Sequence, residues 1–215
     1  MTGLRLIGTM EKSNVAITRI RTGAGDDGST TAGGKHYRKG HALIEYSAAL
    51  DVVQGFTIGL PIVWGTSEPR FMMQELLFRL GAVVGSNKPK EQEIPLQEIG
   101  LYMESQIDII RSGLKPLDTF IRCSEVNAGF QQLRAMIRDT ETKCIKARDQ
   151  IEIESADVSP NLIHMLGKSS KALNIASDWV FAFVWAFSVD ENGVVPSDLR
   201  WEPWSIDRIA GLNIT

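Results

Sequence analysis

Five segments of this sequence carry apolar residues at every third or fourth position, and this spacing constrains the fold more than any other feature. It places the apolar side chains on one face of an α-helix. The predicted helices run from residue 41 to the break at Pro61, and then over 70–84, 96–112, 127–153 and 160–188. Because short polar, glycine- or proline-bearing links join them, they predict an all-α fold built as a five-helix bundle.

The ends of the last helix carry clear boundary signals. Ser159 is a predicted N-cap, and Pro160 occupies the first helical position, where its missing N–H costs nothing. Asn192-Gly193 predicts a turn after the helix, leading into a tail with Trp201 and Trp204. We therefore predict an N-terminal lead-in over residues 1–16, a helical domain over 17–188 and a C-terminal tail over 189–215.

Charge and cysteine content exclude several classes of protein. A chain of 215 residues with a net charge of −3 and mixed signs does not have the basic excess of a general nucleic-acid binder. Two cysteines, Cys123 and Cys144, make no disulfide framework, which favours a reducing compartment. No apolar run is long enough to span a membrane; residues 179–189 predict a buried helix instead.

The first 21 residues are weakly basic. Four cations, Arg5, Lys12, Arg19 and Arg21, stand against the single acid Glu11. This balance is compatible with an organelle-targeting segment, although ordinary N-termini share it. A mitochondrial location is our expectation, and the cytoplasm is the alternative.

Residues 22–40 are rich in glycine, threonine and aspartate, and we predict a surface loop with no regular element. Glycines let backbone N–H groups approach phosphate oxygens, and hydroxyls add donors. Asp26 and Asp27 could hold Mg²⁺ on such phosphates, and Lys39 could add a cation. On composition alone, a plain solvated turn is the simpler explanation. The scattered histidines and the unpaired cysteines have no metal-site spacing, so no metal site is predicted.

The loop is where a family resemblance begins. Residues 25–30, Gly-Asp-Asp-Gly-Ser-Thr, resemble the TGDDGTT nucleotide loop of PduO-type ATP:cob(I)alamin adenosyltransferases, with Thr22 in its opening and Lys39 where the family has a lysine. Residues 45–54 resemble EAYGTVDELN, which aligns Asp51 with the family's aspartate. Weaker matches follow in order at residues 74–82, 103–108, 116–121 and 166–173.

The resemblance implies a five-helix bundle that assembles as a homotrimer, with ATP between subunits and cobalamin beside it. The family reaction transfers the adenosyl group of ATP to cob(I)alamin. Carried over position by position, the resemblance implies residual ATP and Mg²⁺ binding by one set of residues. These are Thr22, Gly25, Asp26, Asp27, Gly28, Ser29, Thr30, Lys39 and Asp51.

The family's fourth-helix motif, RxxCRRAE, is absent. If Cys144 matches its cysteine, Ile145 and Lys146 replace the arginine pair and Arg148 replaces the glutamate. If Arg138 matches its first arginine, Thr142 and Lys143 take the paired positions. Either register removes the first paired arginine, whose fork of donors neither Ile nor Thr supplies to a phosphate.

Other site positions have changed as well. In the last helix, Asp178 stands at an arginine position and Phe181 at an asparagine position, and an acid there would repel a triphosphate. In the second motif, Val52 and Gln54 replace a glutamate and an asparagine. The helical framework matches the family, whereas the site positions do not. We therefore predict no catalytic residue and expect no cobalamin binding.

Three hypotheses follow from this pattern. The first is a non-catalytic relative that serves as a structural or interaction subunit of a larger assembly with protein partners, with a mitochondrial location as our expectation. The second is a divergent, active adenosyltransferase in which Arg138, Lys143 or Lys146 replaces the missing arginines. The third is a regulatory module that binds nucleotide without chemistry.

Overall fold

A computed structural model of the chain describes residues 25–59, 67–154 and 160–200. Its elements are the strands β1 (Ser29–Ala32) and β2 (Lys35–Arg38) and the helices α1 (Ala42–Gly59), α2 (Ser67–Gly85), α3 (Glu93–Ser112), α4 (Ala128–Ile153) and α5 (Pro160–Ala186). The predicted all-α, five-helix architecture is confirmed. Short 3₁₀ turns at Pro89–Gln92 and Ser197–Leu199 complete it.

The prediction that residues 22–40 hold no regular element is wrong for the described part of that stretch. β1 and β2 pair antiparallel, with Ala32 opposite Lys35 across a two-residue turn. Gly33 and Gly34 both have positive φ, 54° and 77°, as such a tight hairpin turn requires. Ala32 is buried in the core, which anchors the hairpin to the bundle.

Helix boundaries differ from the expected ones by a few residues. The segment before α3 was predicted as a polar loop, but Pro89 opens a 3₁₀ turn and α3 already begins at Glu93. Pro95 is the third residue of α3, where its N–H would have no intrahelical partner in any case. α5 begins at Pro160 as predicted and ends at Ala186, while the expected cap Ser159 lies outside the described residues.

Contacts between helices fix their relative directions. His41 before α1 meets Glu154 after α4, and Asn127 before α4 meets Ser188 after α5. α4 therefore runs antiparallel to both α1 and α5. Near the start of α3, Glu93 meets His164 of α5, so α3 and α5 run parallel.

The core lies along the line where these helices meet. Trp179 of α5 is fully buried and contacts Phe183 edge-on, while Phe130 of α4 stacks on Phe183 and Phe187. α1 contributes Leu43, Tyr46, Leu50 and Val53. In the described part of the chain, no helix is long and apolar enough to cross a membrane.

Candidate functional site

The loop that precedes β1 has the geometry of a turn built on glycine. Gly25 and Gly28 adopt φ of 87° and 80°, which L side chains rarely adopt. The N–H of Gly28 donates to the carbonyl of Gly25 at 3.2 Å, and the N–H of Lys39 donates to the carbonyl of Gly28 at 3.0 Å. These two bonds close the loop against the end of β2.

Lys39 is held beside the loop. A Cβ placed on Gly25 would lie 3.5 Å from Nζ of Lys39 and 2.7 Å from the carbonyl oxygen of Ser29. The Lys39 side chain therefore lies in van der Waals range of Gly25, and it is the Ser29 carbonyl oxygen that leaves no room for a side chain there. The structure thus brings Lys39 to the predicted nucleotide loop, as the sequence implied.

The carboxylate of Asp27 accepts hydrogen bonds from its own loop. Ser29 donates its N–H to Oδ1 at 2.9 Å, and its hydroxyl lies 2.7 Å from Oδ1 and 2.9 Å from Oδ2. These bonds lower the pKa of Asp27 below its ordinary value, and the bond from the Ser29 hydroxyl has the largest effect. Asp26 is exposed, Ser29 and Thr30 are half-buried at the start of β1, and Thr22 lies outside the described residues.

Asp51 is not brought to the loop within one chain. It is exposed on α1, nine residues after Ala42, or about 14 Å along the helix axis. Asp51 therefore lies more than two helical turns from the start of α1, where the hairpin ends. The described residues contain no group of three or more His, Cys, Asp or Glu side chains that could hold a metal ion.

The end of α4 lies at the same end of the bundle as the loop. Gln150 accepts the N–H of Ala42 through Oε1 at 3.2 Å and donates to Glu154 at 2.7 Å. His41, which follows β2, lies 3.0 Å from the other oxygen of Glu154. Residues 144–148, where one register places the family motif, therefore come within two turns of the start of α1.

Two of the three cations in this half of α4, Lys143 and Arg148, form ion pairs on their own helix. Lys143 contacts Asp139 at 2.6 Å, and Arg148 contacts Asp149 at 2.9 Å. Cys144 and Ala147 are fully buried, whereas Ile145 and Lys146 are exposed. Burial raises the pKa of Cys144 to about 12, so its thiol stays protonated in the folded chain.

One cation of α4, Arg134, was not identified from the sequence. Arg134 places its guanidinium carbon 4.6 Å from the centre of the Phe181 ring, and its Nε is buried without a hydrogen-bond partner in the described chain. Desolvation, followed by repulsion from Arg138, lowers its pKa despite the nearby Asp178. The spacing of Arg134 and Arg138, four apart on a helix, was the available signal. Arg134 and Arg138 lie about 24 Å and about 18 Å along α4 from Gln150, far from the loop of their own chain.

The fold and the loop together define a class, a five-helix bundle with a glycine-rich loop and a β-hairpin at one end. The sequence profile of the cobalamin adenosyltransferase family matches residues 20–186, and the chain therefore belongs to that family. No curated protein gave a significant match.

Solved structures share the fold. A variant PduO-type ATP:co(I)rrinoid adenosyltransferase from Lactobacillus reuteri, complexed with ATP, has a TM-score of 0.56 at 15% identity. The match covers 77% of this chain and 92% of that one. Another variant PduO-type ATP:corrinoid adenosyltransferase from Lactobacillus reuteri, complexed with cobalamin and ATP, has a TM-score of 0.55 at 15% identity, with the same coverage.

Proposed function

We propose that this chain is a non-catalytic member of the cobalamin adenosyltransferase family that works as a structural or interaction subunit of a larger assembly. The observation that carries the proposal is the surface of α4 around Cys144. The family motif places two adjacent arginines there to clamp a triphosphate, and this chain has Ile145 and Lys146 at those positions.

Burial supports the register that aligns Cys144 with the motif cysteine. The motif RxxCRRAE spaces its cysteine and alanine three residues apart, on one face of a helix. Cys144 and Ala147 have this spacing, and both are fully buried. The other register would place the half-exposed Glu141 at the motif cysteine. A small thiol and a methyl group fit a buried position better than a carboxylate does.

In that register the charges needed for the reaction are replaced one by one. Ile145 and Lys146 stand at the arginine pair, and Arg148 stands at the glutamate. Lys146 supplies a point charge without a planar fork, and Ile145 supplies no charge at all. Removing one such electrostatic group from an active site typically costs about 10²–10³ in rate, and here several are gone.

The test is an adenosylation assay on the purified full chain. Cobalamin is reduced to cob(I)alamin, ATP and Mg²⁺ are added, and adenosylcobalamin is followed by its spectrum. The Lactobacillus reuteri PduO-type enzyme is the positive control. We expect no product above the enzyme-free background, and product at a rate within tenfold of the control would overturn the proposal.

The preserved loop favours a second candidate, a regulatory module that binds ATP without transferring its adenosyl group. Gly25 and Gly28 adopt positive φ, a conformation that lets a glycine backbone approach phosphate oxygens, and Lys39 lies beside Gly25. Calorimetry with ATP and Mg²⁺ separates the candidates. ATP binding that is lost in the Lys39→Ala variant would favour the nucleotide-binding regulatory module. No binding at millimolar ATP would favour the structural or interaction subunit.

The proposal includes a mitochondrial location, supported by the basic first 21 residues. Imaging of the full chain with a C-terminal fluorescent tag checks it. We expect overlap with a mitochondrial dye, and diffuse signal in the cytoplasm would contradict that location.

A further inference from the structure

α3 and α5 run parallel and leave a groove between them, far in sequence from the nucleotide loop. The groove holds about 220 Å³. Its floor is formed by small and apolar side chains, and a Cβ on Gly100 would lie 3.5 Å from the end of Ile175. The floor residues are Leu96, Gly100, Ala172 and Ile175.

The rims of the groove carry opposite charges. Glu104 stands on the α3 side and Lys171 on the α5 side, and both are exposed. Neither has an ion pair or hydrogen bond with any described residue. At the other end, Glu93 bridges the groove to His164 at 3.0 Å and to Lys168 at 3.6 Å. Glu93 therefore closes one end of the groove with paired charges, and beyond it the α5 rim carries the unpaired base Lys171 and the α3 rim the unpaired acid Glu104.

Exposed apolar side chains extend the floor onto α3. Leu101 lines the groove and is 58% exposed, and Ile94, seven residues earlier on the same face, is 68% exposed. Leaving both in water costs free energy that a partner would recover. The groove is small and most of its rim residues are exposed, whereas small-molecule sites are typically about 300–1,000 Å³ and enclose their ligand.

We propose that this groove binds an amphipathic helix of a partner protein, with acidic residues along one flank and basic residues along the other. The inference rests on the proposed role as an interaction subunit. From Glu93 to Glu104 the groove is about 17 Å long, which matches three turns of a helix. The helix lays its apolar stripe on Leu101 and Ile175, its acidic flank towards Lys171 and its basic flank towards Glu104.

The experiment uses the full chain and three fluorescein-labelled peptides of about 14 residues, long enough to fill three to four helical turns. All three share a leucine and alanine stripe at helical spacing. One has glutamates on one flank and lysines on the other, the second has glutamates on both, and the third has lysines on both. We expect fluorescence anisotropy to show that the mixed peptide binds most tightly.

Two variants assign the binding to the groove. Leu101→Glu should weaken the mixed peptide by about tenfold or more, as loss of a central apolar contact does. Phe71→Glu, on α2 and similarly exposed at 53%, is the matched control and should leave affinity unchanged. Lys171→Glu makes both rims acidic, so it should transfer preference to the peptide with lysines on both flanks. A gain of binding cannot come from misfolding.

Three results would overturn the inference. They are no binding of any peptide at millimolar concentration, equal binding by the Leu101→Glu variant and the wild type, and an unchanged peptide preference in the Lys171→Glu variant. Sedimentation that shows a homo-oligomer dissociated by Leu101→Glu would assign the groove to a second copy of the chain. The adenosylation assay is independent, because adenosyl transfer would refute the non-catalytic role and leave the peptide result standing.

Discussion

At the scale of single residues, two glycines of the loop share a backbone conformation but differ in what surrounds them. Gly25 and Gly28 have nearly the same positive φ, yet a Cβ meets the carbonyl oxygen of Ser29 at 2.7 Å at Gly25 and nothing within 4 Å at Gly28. The two positions therefore share the backbone cost of a side chain but differ in steric cost. They form a matched pair within one loop.

Gly28→Ala should lower the free energy of unfolding by about 1 kcal/mol, the usual cost of a left-handed L residue. Gly25→Ala should lower it further, because the backbone at Ser29 must also move. Urea denaturation followed by circular dichroism measures both. Equal effects of the two substitutions would show that the loop relaxes freely and that the contact at Gly25 has no consequence.

The Asp27 carboxylate reports whether the loop keeps its internal hydrogen bonds in solution. Its pKa lies below the ordinary value chiefly because the Ser29 hydroxyl donates to it. The contribution of Asp27 to stability is therefore present above its unfolded pKa and is lost as pH falls through its lower folded pKa. Ser29→Ala should raise the pKa towards its ordinary value. A carbon-13 NMR titration tests this, and an identical pKa in the variant would contradict the assigned bond.

At the scale of elements, one side chain joins three segments at the end of the bundle opposite the loop. Asn127, fully buried before α4, accepts the N–H of Ser124 at 2.9 Å through Oδ1. Its amide donates to the carbonyl of Arg122 at 3.1 Å and to the hydroxyl of Ser188 at 2.8 Å. The connection between α3 and α4 is thereby fixed to the end of α5.

Asn127→Ala should cost roughly 2–4 kcal/mol, since it removes three hydrogen bonds, two of them to part-buried backbone groups. Asn127→Asp keeps the acceptor for Ser124, but it loses both donors and buries a carboxylate beside the Arg122 carbonyl, so it should cost at least as much at neutral pH. Ser188→Ala, which removes one of the three bonds, should cost about 1 kcal/mol. Equilibrium unfolding in urea ranks the variants, and a loss below 0.5 kcal/mol for Asn127→Ala would rule out the role given to this residue.

At the scale of the whole molecule, the packing of α1 against α4 and α5 decides which groups can react. The hydroxyl of Tyr46 is fully buried beside Cys144 and Ser169, and burial raises its pKa well above the ordinary value. Cys144 is equally buried, and Cys123 is exposed in the connection between α3 and α4. The two thiols therefore differ in access, although the sequence presents them alike.

A thiol reagent such as DTNB at pH 8 should label one cysteine in the native protein and two in denaturant. Cys144 should react only at the rate of global unfolding, because its thiol is buried and its pKa is about 12. Cys123→Ser should abolish the native reaction. Rapid labelling of two thiols in the native state would contradict the packing of α1 on α4.

The family assignment also belongs to the whole chain. The similar structures share only 15% identity with it, so what the likeness shows is the shared fold. The charged positions at which this sequence departs from the family motifs lie on α1, α4 and α5. A fold held by many apolar contacts tolerates such losses, because each surface charge contributes little to stability.

The sequence by itself determined the helices, their order and the family, because periodicity, caps and motifs are local signals. It missed the hairpin, although Gly33-Gly34 was a usable turn signal, because β1 is fixed only when Ala32 enters the core. It also left the register of the α4 motif open. Only the tertiary structure favoured Cys144, separated Asp51 from Lys39 and paired α3 with α5 across a groove. These relations join residues far apart in the chain, and packing rather than local propensity decides which of them meet.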